Sequence, residues 1–159
     1  MNSKYYSLLP AAAALHIVEE FVYPGGFLDA MKETAPRFER HVTVTFAVVI
    51  NSLFFLLCVL AALFGEKKRL LSHSVLGLVF MNGLTHVAAT LARRRYNPGA
   101  VTGLLIYIPL ASAGFKDALS SGVADRRQVL EAFAIAAAYQ ATPIVTLLVK
   151  DLQDRRAGE

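Results

Sequence analysis

The chain of 159 residues lacks several features that would assign it to a common class of protein. It has one cysteine, Cys58, so it cannot form an internal disulfide. It has no strand-like alternation of polar and apolar residues, and no internal repeat of the kind that builds many transporters. Its 16 lysine and arginine residues are divided among short loops and chain ends, which disfavours a nucleic-acid partner. These absences favour an all-α protein.

Formal charge is also missing from long parts of the chain. Residues 42–64 and 70–92 are two runs of 23 residues without Asp, Glu, Lys or Arg, and about 20 apolar residues of helix cross a bilayer core. The hydrophobic content of 55% exceeds that of ordinary soluble domains. With three shorter apolar runs, the sequence predicts one domain, residues 1–159, that forms a polytopic membrane bundle of about five transmembrane helices. The expected spans are approximately 5–23, 41–64, 70–92, 100–116 and 129–149.

Polar segments separate these runs. Pro24-Gly25-Gly26 ends the first run, and the charged residues within 27–40 predict an aqueous or interfacial loop. Pro109 predicts a kink in the fourth helix. Residues 116–127 predict a polar connection, and the charged tail after Lys150 is expected to fray. Lysine and arginine residues divide seven to nine between the two sides of the membrane, which gives little orientation; we expect the C-terminus in the cytoplasm.

Three ionisable residues lie near the end of the first run. His16 is followed at i+3 and i+4 by Glu19 and Glu20, so both carboxylates lie beside the imidazole on one helical face. Such groups are costly within a membrane and need partners or a function. The alternative is an interfacial helix end whose glutamates extend to water. The two acidic residues also argue against a cleaved signal peptide.

The expected topology brings a second polar pair to the same depth. The first and third spans run in the same direction, and His16 precedes Tyr23 by seven residues as His86 precedes Arg93, about 10 Å of helix in each case. Asn82 and His86 are i and i+4, so they share a face. His73 falls at the opposite end of the third span and is excluded. An interhelical hydrogen-bonded clasp is the simpler alternative.

Two histidines and a carboxylate with open positions suit a divalent metal, and zinc, iron and manganese all remain open. We assign His16, Glu19 and His86 as ligands. Glu20 is then a catalytic base on metal-bound water, and Asn82 orients the substrate or a water molecule. Too few carboxylates converge for a two-metal centre.

These residues also carry a resemblance to a known family. The motif His16-x-x-Glu19-Glu20, the later Asn82-x-x-x-His86 and the turn Tyr96-Asn97-Pro98-Gly99 resemble the HXXEE-motif family of small bacterial integral membrane proteins, over about the first 110 residues. The resemblance implies a multi-pass protein of the bacterial inner (cell) membrane. The family has no assigned function, so the chemistry must come from the residues themselves.

Two functions from different classes remain. The first is a metal-dependent membrane enzyme, a hydrolase, isomerase or oxidoreductase, that acts on a lipid or other apolar small molecule drawn from the bilayer. The second is a non-catalytic protein that binds or transports a small molecule or ion and uses the same cluster as a protonatable site. A structural helper whose polar cluster only locks the bundle is a third alternative. The sequence leaves the substrate, the metal and the oligomeric state open.

Overall fold

The apolar runs fold as helices, in a computed structural model that describes residues 4–22 and 26–157. No strand occurs in those two ranges, so the all-α prediction is confirmed. The helices are α1 (Lys4–Ser7), α2 (Leu9–Val22), α3 (Gly26–Thr34), α4 (Val44–Phe64), α5 (Arg69–Arg93), α6 (Ala100–Thr102), α7 (Ile108–Ser120) and α8 (Arg126–Ala157). Short 3-10 helices cover Pro36–His41 and Gly65–Lys68, and a π-helical turn covers Gly103–Tyr107.

Helix α5 lies at the centre of the bundle, with α4, α7 and α8 packed around it. Its residues 72–79 are all buried. A Cβ on Gly77 would lie 3.3 Å from the Cβ of Ala136 in α8, and a Cβ on Gly83 would lie 2.9 Å from the carbonyl oxygen of Gly103. Helices approach this closely only where both carry small residues. The Gly83–Gly103 approach holds the start of the fourth apolar run against α5.

The irregularity expected at Pro109 lies just before it. Pro109 is the second residue of α7, and the π-helical turn Gly103–Tyr107 precedes it. Proline has no N–H to donate to the carbonyl four residues earlier, here that of Leu105, and its ring clashes with that carbonyl. The wider π-helical turn accommodates this conflict, and such turns often lie at functional sites.

Two polar segments are more ordered than their charge suggested. The expected loop at 27–40 is largely helical, as α3 and the 3-10 helix Pro36–His41, and α7 continues four residues past 116. The turn expected at Pro24-Gly25-Gly26 lies mostly outside the described residues. The sequence pattern failed here because short amphipathic helices carry as much charge as loops do.

The charged C-terminal tail, expected to fray, is instead the last two turns of α8. Asp151 is buried there and accepts hydrogen bonds from Arg37, Arg40 and Arg155, with the shortest 2.8 Å from Arg37. The hydrogen bonds from Arg37 hold the pKa of the Asp151 carboxyl below its ordinary value. An ion-pair network that joins the 3-10 helix to α8 therefore fixes the tail.

Two helical segments of the described residues are long and apolar enough to cross a membrane, by length and composition: Val44–Arg93, which contains α4 and α5, and Arg126–Ala157. By that criterion the five predicted spans are not confirmed. Large apolar side chains on these segments face outward, and those of Leu53, Leu84 and Val145 are about half exposed. Extended apolar surface of this kind marks contact with a membrane or with another protein.

Candidate metal centre

Three of the predicted site residues meet in the interior. His16 and Glu20 are i and i+4 on α2, and His86 comes from α5; all three are at most 6% exposed. The Oε1 atom of Glu20 lies 3.4 Å from Nε2 of His16 and 3.2 Å from Nε2 of His86. The three groups can present ligand atoms within 4.8 Å of one another. Ligand atoms around a tetrahedral zinc with bonds of about 2.0–2.1 Å lie about 3.4 Å apart.

The structure places Glu19, the carboxylate predicted as a ligand, outside this group. Its oxygens accept hydrogen bonds from the backbone N–H groups of Gly99, Val101 and Thr102, at 3.1, 3.0 and 2.7 Å. The hydroxyls of Thr102 and Tyr96 donate to it as well. The first turn of a helix has unpaired N–H groups and a partial positive charge, which attract a carboxylate. Glu19 therefore caps the helical segment that begins at α6, and Glu20 takes the position beside the histidines.

Glu19 also fixes the tautomer of His16, through the Thr102 hydroxyl that lies between them. The Thr102 hydroxyl has one hydrogen and donates it to Glu19. Its oxygen lies 2.7 Å from Nδ1 of His16, so Nδ1 must be the donor in that contact. The Nε2 atom of a neutral His16 then carries a lone pair. A partner that fixes the tautomer in this way is a general feature of metal-binding histidines.

His86 is oriented by the turn that follows α5. Asn97 is buried, and its Nδ2 atom lies 2.9 Å from Nδ1 of His86 and 3.2 Å from the carbonyl oxygen of Pro98. Gly99 packs against both imidazoles, because a Cβ there would lie 2.7 Å from His16 Cε1 and 2.7 Å from His86 Nδ1. Its φ of +92° also favours glycine. The Asn-Pro-Gly turn thus forms one wall of the site.

The resulting arrangement calls for a cation. Among the described residues, Nε2 of His16 has no hydrogen-bond partner, although it lies 3.4 Å from the Oε1 atom of Glu20. A nitrogen lone pair that faces a carboxylate in a buried place is unfavourable unless a proton or a metal ion lies between them. Tyr107 stacks on one face of the His16 ring, with 4.4 Å between the ring centroids.

Asn82 lies on the wall of an adjoining cavity of about 280 Å³. Glu20, His86 and Asn97 line this cavity as well, together with residues of α3, α4, α5 and α8. Asn51 and Gln140 line it too. The side chains of the remaining lining are mostly apolar. The structure thus places Asn82 beside the cluster, on the surface that a bound molecule would contact.

The comparisons with known proteins agree with the motif. A model of the family described as "Protein of unknown function with HXXEE motif" matches residues 7–113. This chain belongs to the HXXEE family. The matched segment contains all three residues of the cluster, together with Glu19 and the turn that supports them.

A curated relative from Bacillus subtilis (strain 168), "Uncharacterized protein YrkK", is 28% identical over 108 residues. That alignment covers 64% of this chain and 66% of the relative, so the chain spans just under two thirds of the relative's length. No solved structure matches the chain. These similarities assign a family and no activity.

Two contributors to the site were missed or understated by the sequence. Thr102 was not singled out, and Asn97 was named only as part of the turn Tyr96-Asn97-Pro98-Gly99. The available signal was the turn Tyr96-Asn97-Pro98-Gly99 directly before an apolar run, since such a turn presents a helix N-terminus to a nearby carboxylate. His41 lies 3.5 Å from Asp154 and outside the cluster. His73 lies outside it as well, as expected.

Proposed function

We propose that this protein is an integral membrane protein whose His16, Glu20 and His86 side chains bind one divalent metal ion beside a cavity for an apolar small molecule. The observation that carries the proposal is the contact between Glu20 Oε1 and the two Nε2 atoms, at 3.4 and 3.2 Å, in a buried place. Two imidazoles and one carboxylate match the ligand sets of catalytic zinc and of non-haem iron.

Such a metal keeps an open coordination position, where it can activate water or polarise a carbonyl. The chain's own residues would do the rest. Thr102 holds His16 in the tautomer with a free Nε2, Asn97 orients His86, and Asn82 positions a ligand in the cavity. Glu20, first predicted as a base, is proposed as the carboxylate ligand instead of Glu19. We therefore propose a metal-dependent enzyme that acts on a lipid or other apolar molecule.

The membrane part of the proposal rests on length and surface. Residues 4–22 and 100–120 contain 19 and 21 residues in almost continuous helix, about 28 and 32 Å at 1.5 Å per residue. Added to α4, α5 and α8, they make five segments long enough to cross a bilayer. We propose that all five do so, in the inner membrane of a bacterium, with the C-terminus in the cytoplasm.

A second candidate is favoured by the orientation of Asn97. If Nδ2 of Asn97 donates to Nδ1 of His86, then Nε2 of His86 carries a hydrogen and donates to Glu20. In that pattern a proton, and not a metal, bridges Glu20 and the histidines. The cluster would then be the protonatable site of a binding or transport protein. A rotation of the Asn97 amide by 180° would give the metal-binding pattern, but it would break the hydrogen bonds of Asn97 with the Pro98 carbonyl and with Arg93.

Elemental analysis of the detergent-purified protein separates the two candidates. We expect close to one zinc, iron or manganese ion per wild-type chain, and loss of that metal in His16→Ala, Glu20→Ala and His86→Ala. The matched control is His73→Ala, which removes a buried histidine of α5 outside the cluster and is expected to retain the metal. Wild type without metal, after purification without chelators and reloading with each ion, would contradict the metal proposal and favour the protonatable site.

A further inference from the structure

The cavity beside the cluster combines an apolar wall with several amide groups and the carboxylate of Glu20. Ile50, Phe54, Leu78 and Ile144 supply apolar lining, and no lysine or arginine is among the described residues that line it. Three carboxamides, those of Asn51, Asn82 and Gln140, reach the same cavity from α4, α5 and α8. Amides recognise neutral groups that donate or accept hydrogen bonds. The lining therefore suits a molecule with an apolar body and an uncharged polar group.

One of these amides is not satisfied within the protein. The Oδ1 atom of Asn82 is buried and accepts no hydrogen bond from any described residue. Glu20 lines the same cavity, and its Oε2 atom is also buried without a hydrogen-bond partner among the described residues. A buried acceptor without a donor is unfavourable. Two residues that line the same cavity therefore each have an unpaired acceptor, which a ligand with a hydrogen-bond donor could satisfy.

We infer that the cavity binds an aliphatic alcohol, whose hydroxyl donates to Asn82 Oδ1 while its chain contacts the apolar wall. This inference rests on the proposed function and specifies the ligand of the same site. A carboxylate head group brings no donor to Asn82, and an alkane leaves both acceptors unpaired. The volume of about 280 Å³ corresponds to about nine groups of the size of a water molecule, at about 30 Å³ each. This is the size of an eight-carbon alcohol.

The test is equilibrium binding of tritiated 1-octanol to the full chain in phosphatidylcholine nanodiscs, with protein-free nanodiscs as the background. We expect saturable binding of one molecule per chain. Unlabelled 1-octanol should compete at least about tenfold better than octane or octanoate. Asn82→Leu, which keeps the size of the side chain and removes the acceptor, should weaken binding about threefold to tenfold, the effect of one lost hydrogen bond.

The matched control is Gln153→Leu, which removes an exposed amide of α8 that is not part of the cavity wall. It should bind octanol as wild type does. Equal competition by octane or octanoate, better competition by octylamine, or unchanged binding in Asn82→Leu would each overturn the alcohol assignment. Metal content measured on the same samples keeps the two proposals apart. Metal without selectivity for alcohol refutes only the ligand, and selectivity without metal refutes only the metal centre.

Discussion

Glu19 and Glu20 are neighbours in the chain, and their carboxylates have opposite environments. Glu19 accepts hydrogen bonds from three backbone N–H groups and two hydroxyls. Glu20 is approached only by two imidazole nitrogens, and its Oε2 atom has no hydrogen-bond partner among the described residues. The first carboxylate is fully used in holding two parts of the bundle together. The carboxylate of Glu20 can still accept a metal ion or a hydrogen-bond donor, as expected of a residue in a binding site.

The comparison also shows how the two roles depend on each other. Glu19 takes the hydroxyl hydrogen of Thr102, and Thr102 in turn leaves His16 with its lone pair on the side of Glu20. A structural carboxylate thereby prepares the neighbouring site. The motif contains two adjacent glutamates because, in this account, Glu19 positions Thr102 and His16 whereas Glu20 binds the metal.

The largest effect is expected at Gly99, where both environments meet. Gly99→Ala places a Cβ 2.7 Å from atoms of both histidines at a φ of +92°. The clash and the backbone strain should together cost about 2–5 kcal/mol and displace the imidazoles. The free energy of unfolding in detergent and the metal content should both fall. The control, Gly122→Ala, has a φ of +69° with nothing within 4 Å of the added Cβ, so only the strain of about 1–2 kcal/mol should remain.

The next effect separates the two glutamates. Glu19→Gln puts an amide group against several donors and should lower the free energy of unfolding by about 3 kcal/mol, because buried donors lose their acceptor. Glu20→Gln should change the stability of the metal-free protein by less than about 1 kcal/mol and should abolish metal binding. The control is Glu131→Gln, whose exposed ion pair with Arg127 contributes little. The reverse order, with Glu20→Gln less stable than Glu19→Gln, would contradict the assignment of roles.

A smaller effect, on zinc affinity, is expected at Thr102, which lies between Glu19 and His16. Thr102→Val removes the oxygen that holds Nδ1 of His16 and should weaken zinc affinity about tenfold to a hundredfold. Isothermal titration of the metal-free protein measures this change. Thr142→Val is the matched control, since the Thr142 hydroxyl donates only to the carbonyl of Ala138 in its own helix. Equal affinity in wild type and Thr102→Val would mean that the contact with Thr102 has no part in metal binding.

The smallest effect is expected at Asn97. Asn97→Asp replaces a group that can donate to His86 Nδ1 with one that only accepts, so Nε2 of His86 becomes free to bind a metal. Zinc affinity should rise by about threefold, because a carboxylate behind a ligating histidine raises its basicity. Competition against a chelating dye can resolve a change of this size. A fall in affinity would contradict the assignment of Asn97 as the group that determines the tautomer of His86.

Much of the helical framework follows from local sequence. The long apolar runs predicted α4 and α5 to within about three residues, because stretches of that length without charge have few alternatives to a helix. The segment 27–40 and the tail of α8 were mispredicted as loop and frayed end. Their order comes from contacts with distant residues, above all that of Asp151 with Arg37, which no local window contains.

Part of the site was also predictable from the regular geometry of the helices. Matching depth and shared faces were enough to pair His16 with His86 and to place Asn82 beside them. The choice between Glu19 and Glu20 was not predictable, since both lie on the histidine's face of the helix. That choice depends on where the backbone N–H groups of Gly99, Val101 and Thr102 lie, and the long-range packing of Gly83 on Gly103 determines their position.

The most direct measurement of the central claim is the X-ray absorption spectrum of the zinc-loaded protein at the metal edge. The account predicts two imidazole nitrogens and a carboxylate oxygen at about 2.0–2.2 Å. It also predicts a spectrum that is unchanged in Glu19→Gln and lost in Glu20→Gln. A spectrum without imidazole scattering, or one that depends on Glu19 and not on Glu20, would contradict the account.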